Sequence, residues 1–119
     1  MAQRIAGTAW LKVDGGIYPL RGNFTVSPSS LERAGISGQD YVHGFSEMPR
    51  VPFIEGDIST IPTLSWTAME GIVNSTVTAE LANGKTYVLR EAWTRSAFEL
   101  NTREGQGRVR FEGVSCDEI

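Results

Sequence analysis

Few residues in this 119-residue sequence are of the types that carry out chemistry. The chain has one histidine, His43, and one cysteine, Cys116. Cys116 stands beside carboxylates, which raise the pKa of a thiol rather than activate it as a nucleophile. A Cys–His nucleophile pair is therefore not expected, and a single cysteine excludes an internal disulfide and a thiolate zinc cluster.

Two carboxylates, Glu55 and Asp57, are the remaining candidates for chemistry. They stand two residues apart in an extended segment, so they share one face of a strand. Such a pair could serve acid–base chemistry or bind a hard cation, but we favour solvated surface charges. The sequence predicts no catalytic, cofactor-binding or metal site, and it is typical of a structural or binding module.

Length and composition indicate one folded domain over residues 1–119. Hydrophobic residues make up 40% and charged residues 21% of the chain, which is ordinary for a globular protein. A net charge of -3 disfavours tight binding to nucleic acid phosphates. The first residues lack an apolar signal-peptide core and no stretch approaches a membrane span, so we expect a cytosolic, soluble protein without a membrane partner.

The negative charge is unevenly distributed. Residues 51–84 contain no lysine or arginine but carry Glu55, Asp57, Glu70 and Glu80. This segment could present an acidic surface where those side chains point together, or it could be a chance gap in a nearly neutral chain.

Apolar and polar residues alternate with a period of two through most of the chain, which predicts β-strands. Asp14-Gly15-Gly16 and Asn83-Gly84 supply the residues that tight hairpin turns need. Thr63 is the predicted N-cap of one short helix, whose apolar stripe is Leu64, Ala68, Met69 and Ile72. The fold class is mainly β, an antiparallel β-barrel or sandwich with one short α-helix and a long glycine-rich loop. The predicted strands cover residues 5–13, 18–26, 51–60, 73–81, 86–93, 95–102 and 107–113.

Residues 27–49 break the alternation and predict the long loop. A structureless connection of this length inside a compact domain is usually functional or disordered. This one carries large apolar side chains, so we interpret it as an arm that docks on a neighbouring subunit, with packing on its own domain as the alternative. Residues 114–119 are predicted as a polar C-terminal tail. The predicted subunit-interface residues are Leu31, Ile36, Tyr41, Val42, Phe45, Met48 and also Trp10, which lies on the polar face of its strand.

Four segments, residues 1–15, 20–28, 49–57 and 76–87, together resemble the tail tube proteins of Mu-like contractile-tailed bacteriophages. The likeness runs through the whole chain in a consistent order. It implies a β-barrel flanked by a short helix, similar to the tube protein of type VI secretion systems. It also implies hexameric rings that stack into a hollow tube, with the loop at 27–49 reaching the adjacent ring, and no catalytic residue or cofactor.

The resemblance also implies partners and a location. The tube is made in the bacterial host cytoplasm and becomes part of the virion tail. There it meets the tail sheath, baseplate and tape-measure proteins, and DNA passes through it without specific binding. Thr76, Thr78 and Glu80 are the candidates to face the lumen, because small polar and acidic side chains let a polyanion slide without sticking. The alternatives are the tube of a tailocin or of a secretion-type injection system, or a monomeric ligand-binding β-barrel.

Overall fold

The computed structural model describes residues 7–95 and 98–119. The strands form two antiparallel sheets, and one short helix lies, in chain order, between two strands of the larger sheet. The elements are β1 (Trp10–Val13), β2 (Gly16–Tyr18), β3 (Leu20–Ser27), β4 (Leu31–Ser37), β5 (Val42–Pro49), β6 (Phe53–Ser59), α1 (Trp66–Glu70), β7 (Ser75–Glu80), β8 (Thr86–Arg95), β9 (Leu100–Asn101), β10 (Gln106–Glu112) and β11 (Ser115–Glu118).

The larger sheet follows the order β2-β1-β7-β8-β10-β6-β3, with β11 paired to β8 and β9 paired to β10. Its two end strands, β2 and β3, are consecutive in the chain and are separated by Pro19, which cannot donate a ladder hydrogen bond. Among the described residues the path of paired strands ends at β2 and β3, so it does not close on itself. We call this larger sheet together with its helix the barrel. The mainly β, antiparallel class with one short helix predicted from the sequence is confirmed.

The bent strand β8 joins the two halves of the larger sheet. The first half of β8 pairs with β7 and β11, and its last residues pair with β10. Glu91 lies at the bend with a φ of 49°, a left-handed conformation. At the matching bend between β10 and β11, a Cβ on Gly113 would lie 2.8 Å from the carbonyl oxygen of Arg90, so only glycine fits there without a shift.

The core lies between these strands. The inward positions predicted from the alternation, such as Val109 and Phe111, are 1% and 0% exposed. The helix adds Met69, whose carbonyl oxygen accepts a hydrogen bond of 2.6 Å from the buried Thr94 hydroxyl. The buried cluster consists of Leu11, Val13, Ile54, Ile58, Met69, Val77, Ala79, Leu89, Ala92, Val109 and Phe111.

The helix is shorter and begins later than predicted. Its N-cap is Ser65 rather than Thr63, and the Ser65 hydroxyl accepts a hydrogen bond of 3.2 Å from the amide of Ala68. Of the predicted apolar stripe, Met69 is buried and two members are partly buried against the core, whereas Ala68 is exposed. Five helical residues make about one and a half turns, so only a narrow face can reach the core.

Two segments predicted to lack regular structure are strands. Residues 27–49 contain the paired strands β4 and β5, so the predicted loop is a β-hairpin. Residues 114–119 contain β11, which pairs with β8 and is not a free tail. The predicted strand at 95–102 is also wrong, because Arg95 ends β8 and β9 spans two residues; its residues 96 and 97, like residues 1–6, lie outside the described part of the chain.

Candidate assembly surface

The hairpin formed by β4 and β5 is a separate two-stranded sheet, and we call residues 31–49 the arm. Every residue of the arm is exposed. The molecule measures 61 × 42 × 28 Å with a radius of gyration of 17.3 Å. A compact chain of this length has a radius of gyration of about 13.5 Å. The arm therefore projects away from the barrel.

Local contacts hold the arm in its hairpin shape. The Arg33 guanidinium donates to the Glu47 carboxylate at 2.9 Å and lies 5.6 Å from the centre of the Phe45 ring. At the tip, the imidazole of His43 and the carboxylate of Asp40 are 2.9 Å apart. This hydrogen bond is the main cause that lowers the pKa of Asp40 from its usual value. These contacts are all solvent-exposed, so they contribute little to stability.

The apolar side chains predicted to lie at an interface are open to solvent. On the arm, their exposed fractions run from 48% for Leu31 to 69% for Val42. A hairpin of two strands is at best marginally stable in water without a surface to pack on. The arm thus presents apolar groups that are covered only when another surface meets them.

Trp10 lies on the barrel, away from the arm, and is 48% exposed, as the sequence predicts. It stands opposite Glu80 in the ladder between β1 and β7. With Thr8 and the turn that follows β7, these two residues line an open cleft of about 330 Å³.

The predicted lumen residues lie side by side on one face of β7. Thr76 is exposed, and Thr78 and Glu80 are half-buried. The Glu80 carboxylate accepts a hydrogen bond of 3.0 Å from the ammonium of Lys12 on β1. The acidic character of this face is therefore partly compensated within the chain.

A charged cluster across β6 and β10 was missed by the sequence analysis. The Arg108 guanidinium lies 3.0 Å from the Glu55 carboxylate and 3.4 Å from the Asp57 carboxylate, and Asn23 donates to Asp57 at 2.6 Å. The prediction of solvated charges is wrong for Asp57, which is 8% exposed. Arg110, on the same face of β10, lies 3.7 Å from the centre of the Phe53 ring. In the sequence, the alternation of Arg108 and Arg110 indicated a charged outer face on this strand. It did not identify the partners of these arginines, because the residues of β6 are distant in sequence.

The residues whose side chains could carry out chemistry lie in different elements of the fold. Cys116 lies in β11, where burial is the main cause that raises the pKa of its thiol, followed by the nearby charge of Asp117. His43 is at the tip of the arm. Within residues 7–95 and 98–119, no three His, Cys, Asp or Glu side chains are grouped as a metal site would require. Over the same ranges, no helix has the length and apolar character to cross a bilayer.

An antiparallel β-fold that extends an exposed apolar arm, with its chemically reactive residues in separate elements, is typical of a structural protein. The chain is a member of the phage tail tube protein family, whose model matches residues 2–118. It is 27% identical, over 100% of its own length and 99% of the relative's, to the Mu-like prophage FluMu tail tube protein of Haemophilus influenzae strain Rd. The resemblance noted in the sequence is confirmed, and the role of the chain is structural rather than enzymatic.

Two solved structures share the fold. One is the sheath/tube terminator of PVC, an extracellular contractile injection system, with a TM-score of 0.66 and coverage of 93% of this chain and 92% of that one. The other is the tube terminating cap of the anti-feeding prophage AFP, with a TM-score of 0.67 and coverage of 100% and 93%. Both are 10% identical to this chain, so the likeness concerns the fold.

Proposed function

We propose that copies of this chain form hexameric rings that stack into the inner tube of a contractile phage tail, and that the tube conducts DNA into the host. Family membership supports the tube. One fold neighbour is the sheath/tube terminator of a contractile injection system and the other is a tube terminating cap, which is consistent with a contractile machine. In this proposal, the chain is made in the host cytoplasm and meets the sheath, baseplate and tape-measure proteins during assembly.

The exposed arm is the observation that carries the proposal. Its large apolar residues give an isolated chain no stability, because they touch no core. Docking on another subunit would remove them from water, and this burial contributes about 25 cal/mol of favourable free energy per Å² of apolar area. The predicted interface residues are therefore proposed to act between copies, with the arm reaching the adjacent ring and Trp10 covered by a neighbour.

The face of β7 is proposed to line the channel. Thr76 and Thr78 are uncharged, and the lysine partner of Glu80 lies within the same chain. Such a surface offers DNA phosphates no unpaired cation, so the polyanion is not held in place.

Electron microscopy tests the assembly directly. Negatively stained protein at high concentration is expected to show stacked rings with a central hole and six-fold end views. A protein that remains monomeric when concentrated and when offered a tail baseplate as nucleus would overturn the proposal.

Amide hydrogen exchange tests the role of the arm. Residues 30–46 are expected to exchange rapidly in dilute monomer, because a two-stranded sheet without a core opens easily, and slowly in tubes. The core strand β10 is the internal control, since its amides should be protected in both states. Strong protection of residues 30–46 in the monomer would contradict the proposal.

A second candidate is a tube that carries protein or punctures membranes, as in a tailocin or a secretion-type system. The fold neighbour from an extracellular contractile injection system favours it. Purified particles that contain packaged DNA would support the phage tail, whereas DNA-free particles with a complete tube and sheath would support the second candidate.

A further inference from the structure

One of the four asparagines in the chain is followed by a glycine. It is Asn83, in the loop that joins β7 to β8. The side-chain amide of an asparagine can be attacked by the backbone nitrogen of the next residue, and a glycine in that place has no side chain to obstruct the approach. The pair of Asn83 and Gly84 therefore places an electrophile and a nucleophile next to each other in one turn.

The turn presents both reacting groups at an exposed surface. The amide of Gly84 donates to the carbonyl oxygen of Leu81 at 3.1 Å, and the amide of Leu81 donates to that of Lys85 at 2.9 Å. Gly84 has a φ of 89°, as is common for the last residue of a three-residue hairpin loop. Asn83 and Gly84 are exposed, and a Cβ on Gly84 would meet nothing within 4 Å. The turn therefore has room to change its conformation.

The side chain of Asn83 is held by the backbone that follows it. Its Oδ1 atom accepts a hydrogen bond of 3.0 Å from the amide of Lys85. When the nitrogen of Gly84 attacks Cγ of Asn83, negative charge develops on this same oxygen. A backbone N–H that already points at the oxygen stabilises such a charge, as the donors of an oxyanion hole do. The turn thus supplies a donor for the intermediate as well as the nucleophile.

We propose that Asn83 is a site of self-modification, at which the chain converts the asparagine to aspartate or isoaspartate with water as co-reactant. The Gly84 nitrogen loses its proton to solvent and forms a bond to Cγ of Asn83. The bond between Cγ and the side-chain nitrogen breaks, and ammonia leaves with a proton from solvent. Water then opens the cyclic imide at either of its two carbonyls. The reaction takes place within one chain and does not depend on the proposed assembly.

Asn101 is a matched comparison within the same chain. It is exposed, and its Oδ1 atom accepts hydrogen bonds from the amides of Arg103 at 3.2 Å and Glu104 at 3.1 Å. Its side chain therefore has backbone donors of the same kind as Asn83. The residue after it is Thr102, whose branched Cβ crowds the attacking nitrogen. The comparison isolates the effect of the glycine.

Conversion changes the charge and the shape of the loop. The new carboxylate stands beside Lys85, whose ammonium is bonded to Glu118 at 3.1 Å. Gly84 also lines the cleft that contains Trp10 and Glu80, so the rim of this cleft becomes more acidic. In the isoaspartate product the main chain runs through the former side chain and is one carbon atom longer, which displaces the hydrogen bonds of the turn.

Peptide mass spectrometry of the dilute full-length chain, incubated at mildly alkaline pH in heavy-oxygen water, tests the inference. Asn83 should convert at least about tenfold faster than Asn101, because a glycine leaves the attacking nitrogen uncrowded. The hydrogen bond between Gly84 and Leu81 must break before the nitrogen reaches Cγ. The folded chain should therefore react about 2- to 10-fold more slowly than the same chain unfolded in urea.

Asn83→Gln is the control variant, because its longer side chain closes the ring with difficulty. The acidic form that accumulates on ion exchange in the wild type should be absent from it. A folded chain in which Asn83 converts no faster than Asn101 would overturn the inference, and so would conversion that occurs only after unfolding. Both outcomes are measured on dilute monomer, so neither bears on the proposed tube.

Discussion

Replacing Phe45 by threonine is expected to weaken tube growth without unfolding the chain. Full burial of a phenylalanine side chain contributes about 1.5–3 kcal/mol. Phe45 is 61% exposed in the free chain, so docking can gain about 1–2 kcal/mol from it. Since about 1.4 kcal/mol corresponds to a factor of ten in an equilibrium constant, the critical concentration for growth should rise by about 5- to 30-fold.

Sedimentation of tubes from a concentration series measures this quantity, because the protein left in the supernatant levels off at the critical concentration. Threonine keeps a high β-propensity, so the hairpin itself should survive. Phe45→Leu is the matched control, which retains the apolar surface and should stay within about threefold of the wild type. A Phe45→Thr protein whose critical concentration lies within twofold of the wild type would refute the reasoning.

Three further predictions concern the barrel. Gly113→Ala should lower the free energy of unfolding by about 1–3 kcal/mol and the melting temperature by about 4–12 °C, because its Cβ would meet a carbonyl oxygen at 2.8 Å. Gly22→Ala is the control: its Cβ would meet nothing within 4 Å, so the melting temperature should shift by less than about 3 °C. Glu80→Lys should slow DNA ejection from otherwise normal tails, because it adds a positive charge at the channel and also leaves Lys12 without its carboxylate partner. Glu80→Gln leaves Lys12 unpaired but adds no charge of its own, so it should slow ejection less. Unchanged infectivity of the Glu80→Lys phage would remove the lumen assignment. The hydrogen bond from the backbone amide of Thr76 is the main cause that lowers the pKa of Asp14 below 3.8. The ionised carboxylate therefore stabilises the fold above that pH, and this stabilisation is lost as the pH falls through the folded-state pKa. Melting curves of wild type and Asp14→Asn should therefore converge as the pH falls below about 4, and a difference that is independent of pH would contradict this role.

The strands that bury one face were predictable from the sequence. Val109 and Phe111 alternate with Arg108 and Arg110, and the structure places the first pair in the core and the second pair outside. A period of two is visible wherever one side of a strand meets the core and the other meets water. This condition holds for most of the barrel, so its fold class could be predicted.

The arm was not predictable as a hairpin because that condition fails there. Phe45 and Met48 give apolar character to opposite faces, so the segment shows no period of two and was interpreted as a loop. Its large apolar side chains are exposed in the single chain. Its role in contacts between copies stays a prediction, as does the lumen assignment of Thr76, Thr78 and Glu80.

Long-range pairing explains the other misses. Asp57 finds Arg108 across a gap of 51 residues, and no local pattern indicates which strands will be neighbours. The short polar sequence of β11 becomes a strand because β8 offers it an edge, with Arg90 and Asp117 forming an ion pair of 2.7 Å across the two strands. Tertiary context decides such segments more than intrinsic propensity does.

Strand β8 pairs with β10 and with β11, and so spans both halves of the barrel. This makes the barrel stiff, because the two halves cannot slide past each other without breaking the hydrogen bonds along β8. The arm has no comparable bracing. In a filament built from such chains, flexing would be concentrated at the joints, while each block keeps its shape. A long conduit could then curve around an obstacle and keep a constant bore.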